Sequence, residues 1–198
     1  MNTCECHQAE TLTNRKILWI ALTLNSIMFL VGLIAGILAQ STSLIADSLD
    51  MLADALAYAI GLCASDRDLR FKTIAATLSG GLLLILGLFV LFEVARRAWY
   101  GSFPESTTMI IVACISLIVN ANVLRLLGRF RKGEAYLRAT WIFTRADVII
   151  NCGVIFTGVL VALTHSRYPD LIVGFLIGLF VIKEAIEILR DAKKAEQN

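Results

Sequence analysis

Apolar residues in this chain run in six long blocks, at 17–39, 44–64, 74–95, 107–127, 139–164 and 171–189. Each approaches or exceeds the ~20 residues a helix needs to cross ~30 Å of hydrocarbon at 1.5 Å per residue. None alternates with a period of two, which excludes the strand pattern of a membrane β-barrel. The breaks are short and polar: Gln40-Ser41-Thr42-Ser43, Asp66-Arg67-Asp68 with Arg70 and Lys72, Ser102-Phe103-Pro104-Glu105, Arg129 to Glu134, and His165 to Pro169. The first block is too long for the apolar core of a signal peptide and lacks a clean cleavage site. The pattern therefore predicts an all-α, polytopic membrane protein, a six-transmembrane-helix bundle.

Composition sharpens this. The chain is 58% hydrophobic and 17% charged, against ~45–50% and ~25% in soluble domains. Its mean hydropathy is +0.75. A soluble globular enzyme is excluded, because so much apolar surface cannot be kept from water. A net charge of +2 gives no reason to expect nucleic acid as a partner. Lys and Arg decide orientation. Fourteen of them fall in the N-terminal segment, the second and fourth loops and the C-terminal segment; three fall in the other loops and Arg145 lies within a span. Both termini are thus expected in the cytoplasm. The domain reading is a cytoplasmic tail at 1–16 with a Cys/His cluster, a transmembrane domain at 17–189 and a short cytoplasmic tail at 190–198. Cys4, Cys6, Cys63, Cys114 and Cys152 are an odd number in reducing or lipid surroundings, so a disulfide framework is not expected.

The informative residues are polar ones where lipid makes them costly. A charged side chain at mid-bilayer costs at least ~2.5–3.5 kcal/mol on insertion scales. The second span carries Asp47, Asp50 and Asp54, whose spacings of three and four put them on one helix face. Three like charges on a stripe repel one another, and a bound cation would offset both repulsion and burial. The fifth span carries Asp147 and Asn151 on one face, with Cys152 adjacent. The two spans run in opposite directions, so both groups fall near mid-depth. The metal-ligating candidates are Asp50, Asp54, Asp147 and Asn151, with Asp47 and Cys152 as accessory candidates. Plainer roles stand beside these. Asp47 could bond Ser43 as a cap, Asp147 could neutralise a basic residue, and Asn25, Asn120, Asn122 and Asn151 could be interhelical hydrogen-bond glue.

The run Ser41-Thr42-Ser43-Leu44-Ile45-Ala46-Asp47-Ser48-Leu49-Asp50-Met51-Leu52-Ala53-Asp54 resembles the second-helix signature of the cation diffusion facilitator family. In that signature an Ala-Asp pair is followed by His or Asp three residues on and by Asp four residues later. Asp147 matches the second ligand of the family's fifth-helix pair. Phe143 occupies the first, where it cannot bind a metal, and Gly32 stands where members often have Glu. Most members also continue into a cytoplasmic metal-binding domain, and this sequence ends at Asn198, so it reads as a short form.

The resemblance implies a multi-pass protein of the cell (inner or plasma) membrane, not an enzyme. It would be a secondary transporter exporting divalent transition-metal cations in exchange for protons. The metal would be substrate and no cofactor would be permanently bound. Zinc is expected first, with manganese, iron, cobalt or cadmium also compatible with a hard oxygen set. The expected partners are the lipid bilayer, the metal, protons and a second copy of the chain as a homodimer. Cys4, Cys6 and His7, beside Glu5, form a soft-ligand cluster suited to capturing cytosolic metal. Two other readings stay open: a membrane transferase whose aspartates hold magnesium-diphosphate, and a metal-binding membrane protein that no longer transports.

Overall fold

The computed structural model describes the backbone of residues 3–64, 69–128 and 135–197, and the side chains of 15–62, 73–128 and 144–194. Six helices follow one another: α1 (Thr3–Leu38), α2 (Thr42–Ala64), α3 (Leu69–Tyr100), α4 (Ser106–Leu127), α5 (Ala135–Thr164) and α6 (Tyr168–Gln197). Each predicted block lies within one helix, give or take a residue, but several helices run further. α1 is helical from Thr3, where a tail to residue 16 is expected, and α6 continues to Gln197. Hydropathy marks only the stretch that lipid can cover. Helix formers such as Glu5, Gln8, Ala9 and Glu10 carry the backbone ladder on past it.

The bundle is arranged for lipid, with apolar side chains outward and polar ones inward. Ile27, Leu30 and Ile34 of α1, Leu78, Ile85 and Phe92 of α3, and Phe156 and Leu163 of α5 are all exposed. Trp99, Tyr100, Phe103 and Tyr168 are exposed at one rim, as expected of an interfacial aromatic belt. Among the described residues, four helices are long and apolar enough to cross a membrane, with spans at Arg15–Leu38, Thr73–Tyr100, Ser106–Leu127 and Thr144–Thr164. α2 and α6 carry too many ionised groups to meet that standard. α2 is instead the central helix, packed against α1, α3, α5 and α6, and residues 41–51 of the chain are buried without interruption.

Small residues set the helix registers. A Cβ on Gly36 would stand 2.8 Å from Ile45 Cγ1, and one on Gly32 3.1 Å from Ser48 Cβ, so α1 and α2 lie antiparallel in close contact. Gly158 of α5 fits against Ile110 and Met109 of α4, and Gly87 and Gly178 fix α3 against α6. Such small-residue contacts let backbones approach where lipid offers no hydrophobic drive to associate.

The firmest polar contact joins α6 to α2. Asp170, fully buried in the first turn of α6, caps the N-terminus of α2 instead of its own helix. Its Oδ1 accepts from Ser41 Oγ (2.6 Å), Ser43 Oγ (2.6 Å) and the Ser43 amide (3.1 Å). Its Oδ2 accepts from the Thr42 amide (2.7 Å) and Thr42 Oγ1 (2.8 Å). An anion at a helix N-terminus meets both the unpaired amides and the positive end of the dipole. One turn on, Gly174 admits the Thr42–Ser43 backbone, at 2.8 Å from where a Cβ would stand. Asp170→Ala removes five donor contacts to a buried carboxylate, with Asp170 O left as an acceptor for Thr42 Oγ1 alone. It should destabilise the detergent-solubilised protein by at least ~3 kcal/mol, since unpaired buried donors cost ~1–3 kcal/mol each, with Asp170→Asn intermediate. Denaturant unfolding followed by circular dichroism checks this.

Candidate metal site

Two cross-contacts between α2 and α5 bracket the acids. Toward the Ser41 end, Asn151 Nδ2 donates to Asp47 Oδ1 at 3.1 Å. Toward the other end, the Tyr58 hydroxyl meets Thr144 Oγ1 at 2.8 Å. Between these rungs, Asp50 and Asp54 of α2 face Asp147 of α5, and all three are linked by side-chain hydrogen bonds through Asp147. Asp50 and Asp147 are buried and Asp54 is half-buried. Tyr58 also donates to Asp54 Oδ2 at 2.9 Å, so the phenol bridges acid and threonine. Two carboxyl groups in hydrogen-bond contact need a positive charge between them, either a shared proton or a cation.

The structure brings in a residue that the sequence reading does not single out. Glu184 of α6, half-buried, hydrogen-bonds Asp50. Its signal was present in the spacing. Asp170, Gly174, Ile177, Val181 and Glu184 recur at steps of four and three, the inward stripe of an amphipathic helix. Lys183, Glu187 and Arg190 beside it instead suggest an ordinary charged helix end. Among the described residues, no group of three or more acid, His or Cys side chains is already spaced to hold a metal ion. The carboxyls are paired with one another.

Further polar atoms lie at the same depth. Continuing the α1–α2 register seven residues along each helix sets Asn25 opposite Ala55, beside Asp54. The α4–α5 register sets Asn120 opposite Asp147 and Val148. Among the described residues, Asn25 Oδ1, Asn120 Oδ1 and Nδ2, Ser116 Oγ and Asn151 Oδ1 are buried with no hydrogen-bond partner. A lone buried polar atom is costly. These unpaired atoms give α1, α4 and α5 polar inward faces over one to two turns beside the acids. Beyond them toward Tyr58 lies an apolar cluster of Ile17, Leu18, Ala21, Tyr58, Leu62, Val123 and Leu127.

The other sequence candidates fall as follows. Asn151 is fully buried, and its Nδ2 also donates to Asp147 O at 2.7 Å, leaving Oδ1 as its unpaired acceptor. Asp47 is buried beside it. Ser43, considered as its capping partner, donates to Asp170 instead. Cys152 is an exposed free thiol on the lipid side, because one residue turns a helix by about 100° away from the Asn151 face. Arg145 is exposed as well, and among the described residues the charged groups acting on Asp147 are Asp54 and Asp50. The side chains of Cys4, Cys6, His7 and Phe143 lie outside the described residues.

The chain is similar to known efflux proteins over most of its length. It is 27% identical over 191 residues to the metal cation efflux system protein CzcD of Cupriavidus metallidurans, covering 90% of this chain and 60% of that one. It is 21% identical over 200 residues to a cadmium, cobalt and zinc/H(+)-K(+) antiporter of Bacillus subtilis, covering 94% and 64%. It is 30% identical over 180 residues to the manganese efflux system protein MneS of Bacillus subtilis, covering 82% and 61%. The chain thus spans about 60% of the length of these relatives. The Cation efflux transmembrane domain matches residues 18–195, nearly the whole helical bundle with all of the buried acids inside it, and the chain belongs to that family.

Proposed function

We propose that this protein exports divalent transition-metal cations across the cell membrane in exchange for protons, with the α2–α5 carboxyls as the transport site. One observation carries the reading: Asp50, Asp54 and Asp147, from two antiparallel helices, meet in the interior of a bundle whose outer face is built for lipid. Family membership supports it, and it favours a transporter over the transferase reading. The relatives' names cover zinc, cadmium, cobalt and manganese, and zinc is the first candidate here.

The chemistry is competitive. Ionised, the carboxyls take a 2+ ion; with protons shared among them, they release it, because both bind at the same oxygens. On the charge-based orientation, the apolar cluster around Tyr58 lies on the cytosolic side of the site. The Asp47–Asn151 rung then lies one turn outward, as a polar step between the site and the exterior. Asn151 Oδ1, buried and unpartnered, is available as a further oxygen donor. Alternating access would rock helix groups about this midplane site. Cys4, Cys6 and His7 would concentrate cytosolic metal ahead of it.

Proteoliposomes with zinc, cadmium, cobalt and manganese and an imposed pH gradient test the proposal. Asp50→Ala, Asp54→Ala or Asp147→Ala should abolish flux at matched membrane levels, and wild-type flux in any of them removes that residue from the site. Deleting residues 1–10 should raise the apparent KM for a soft metal and leave the maximal rate nearly unchanged. Asn120→Leu keeps the branched shape but removes two unpartnered polar atoms. It should stabilise the protein by ~1–3 kcal/mol while slowing flux, a trade expected where function needs a polar interior. Thermal unfolding and flux measured on the same preparation check both halves.

A further inference from the structure

α2 and α6 run side by side in one direction, and their register is fixed at two separate points. Near the start, Gly174 lies against Thr42 and Ser43. Further along, Ala53 of α2 and Ala185 of α6 share one buried cluster with Leu83 of α3. Eleven residues separate Thr42 from Ala53 and eleven separate Gly174 from Ala185, about three turns of each helix. This register sets Glu184 level with Leu52, midway between Asp50 and Asp54. The side chain reaches Asp50 there. Across the cluster, Asn151 Oδ1, fully buried one turn from Asp147, has no hydrogen-bond partner among the described residues.

Resting on the transport-site reading above, we propose that Glu184 of α6 is the fourth oxygen ligand of the metal, supplying from a third helix what Phe143 cannot supply from α5. A donor set of three aspartates and one glutamate is all oxygen. Such a set suits harder divalent ions such as Mn²⁺ and discriminates less strongly in favour of Zn²⁺, which prefers nitrogen and sulfur. It also makes α6 part of the site, so the Asp170 clamp at its far end holds a ligand-bearing helix in register with α2.

The test uses the full chain purified in detergent, with Mn²⁺ and Zn²⁺ binding measured by competition and Co²⁺ as an optical probe. Glu184→Gln should weaken Mn²⁺ binding by at least ~10-fold, the lower end of the cost of removing even an outer partner of a metal ligand. Glu187→Gln, one turn along and on an exposed side chain, should leave binding unchanged. Glu184→His should shift the Mn²⁺/Zn²⁺ affinity ratio toward zinc. Glu184→Cys should give a cobalt–thiolate charge-transfer band that wild type and Glu187→Cys lack. If Asp50→Asn loses binding while Glu184→Gln keeps it, Glu184 is not a ligand and the α2–α5 site stands. If Asp50→Asn also keeps wild-type binding, the transport-site reading itself falls. Should Glu184→Gln fail to fold, folded Glu184→Cys without the band overturns the proposal.

Discussion

Hydrocarbon cannot solvate a carboxylate, and this single constraint organises the bundle. Acids within the spans must turn inward, and once inside they must share protons, bind cations or accept from strong donors. Asp170 takes the last route, surrounded by hydroxyls and amides at the N-terminus of α2. Glu93 takes a related one near the end of α3, where Arg96 and Arg97 both bond it at 2.6–2.7 Å. Among the described residues, Asp50, Asp54, Asp147 and Glu184 are set against one another, with Tyr58 donating to Asp54. That contrast separates acids already met by donors or cations from acids that face one another.

The same constraint explains why the helix that carries Asp47, Asp50 and Asp54 is the best covered. α2 packs against four neighbours, while exposed large apolar side chains are concentrated on α1 and α3. Glycines bring the pairs close enough for short side chains to meet. An aspartate reaches only a few ångströms from its backbone. The Asp50–Glu184 contact therefore depends on Gly174 holding the α2–α6 register, although Gly174 itself lies against Thr42 and Ser43.

Much of this was legible in the sequence, for physical reasons that can be traced. Six helices followed from block length, and the face shared by Asp47, Asp50 and Asp54 followed from steps of three and four. The Asp47–Asn151 contact was half-visible, since the two residues lie on the faces that the reading turned toward each other. Glu184 was not, because a single glutamate near a helix end among Lys183, Glu187 and Arg190 looks like solvated charge. Only the register with α2 brings it level with the acids. Asp170 was hidden similarly. A helix-start aspartate next to proline is ordinary, and its capping of a different helix is a tertiary fact. Asn25 and Asn120 read as interhelical glue, yet their buried atoms lack the partners that glue requires.

The two ends of the acid site differ in kind. On the Tyr58 side the next layer is apolar, with Leu62, Val123 and Leu127 sealing it against Ile17 and Leu18. On the Ser41 side the next layer includes Asp47 and Asn151, and between one and two turns further lie the hydroxyls of Ser41, Thr42 and Ser43 around Asp170. From the acids, the neighbouring layer bears oxygen in one direction and is apolar in the other. Opening the oxygen-lined side asks for rearranged hydrogen bonds. Opening the apolar side asks for separated side chains, and Tyr58 is the residue common to the seal and the site. Its hydroxyl bonds Asp54 while its ring packs in the apolar cluster. Tyr58 thus ties the position of Asp54 to the packing of the apolar layer, so a displacement of one is felt by the other.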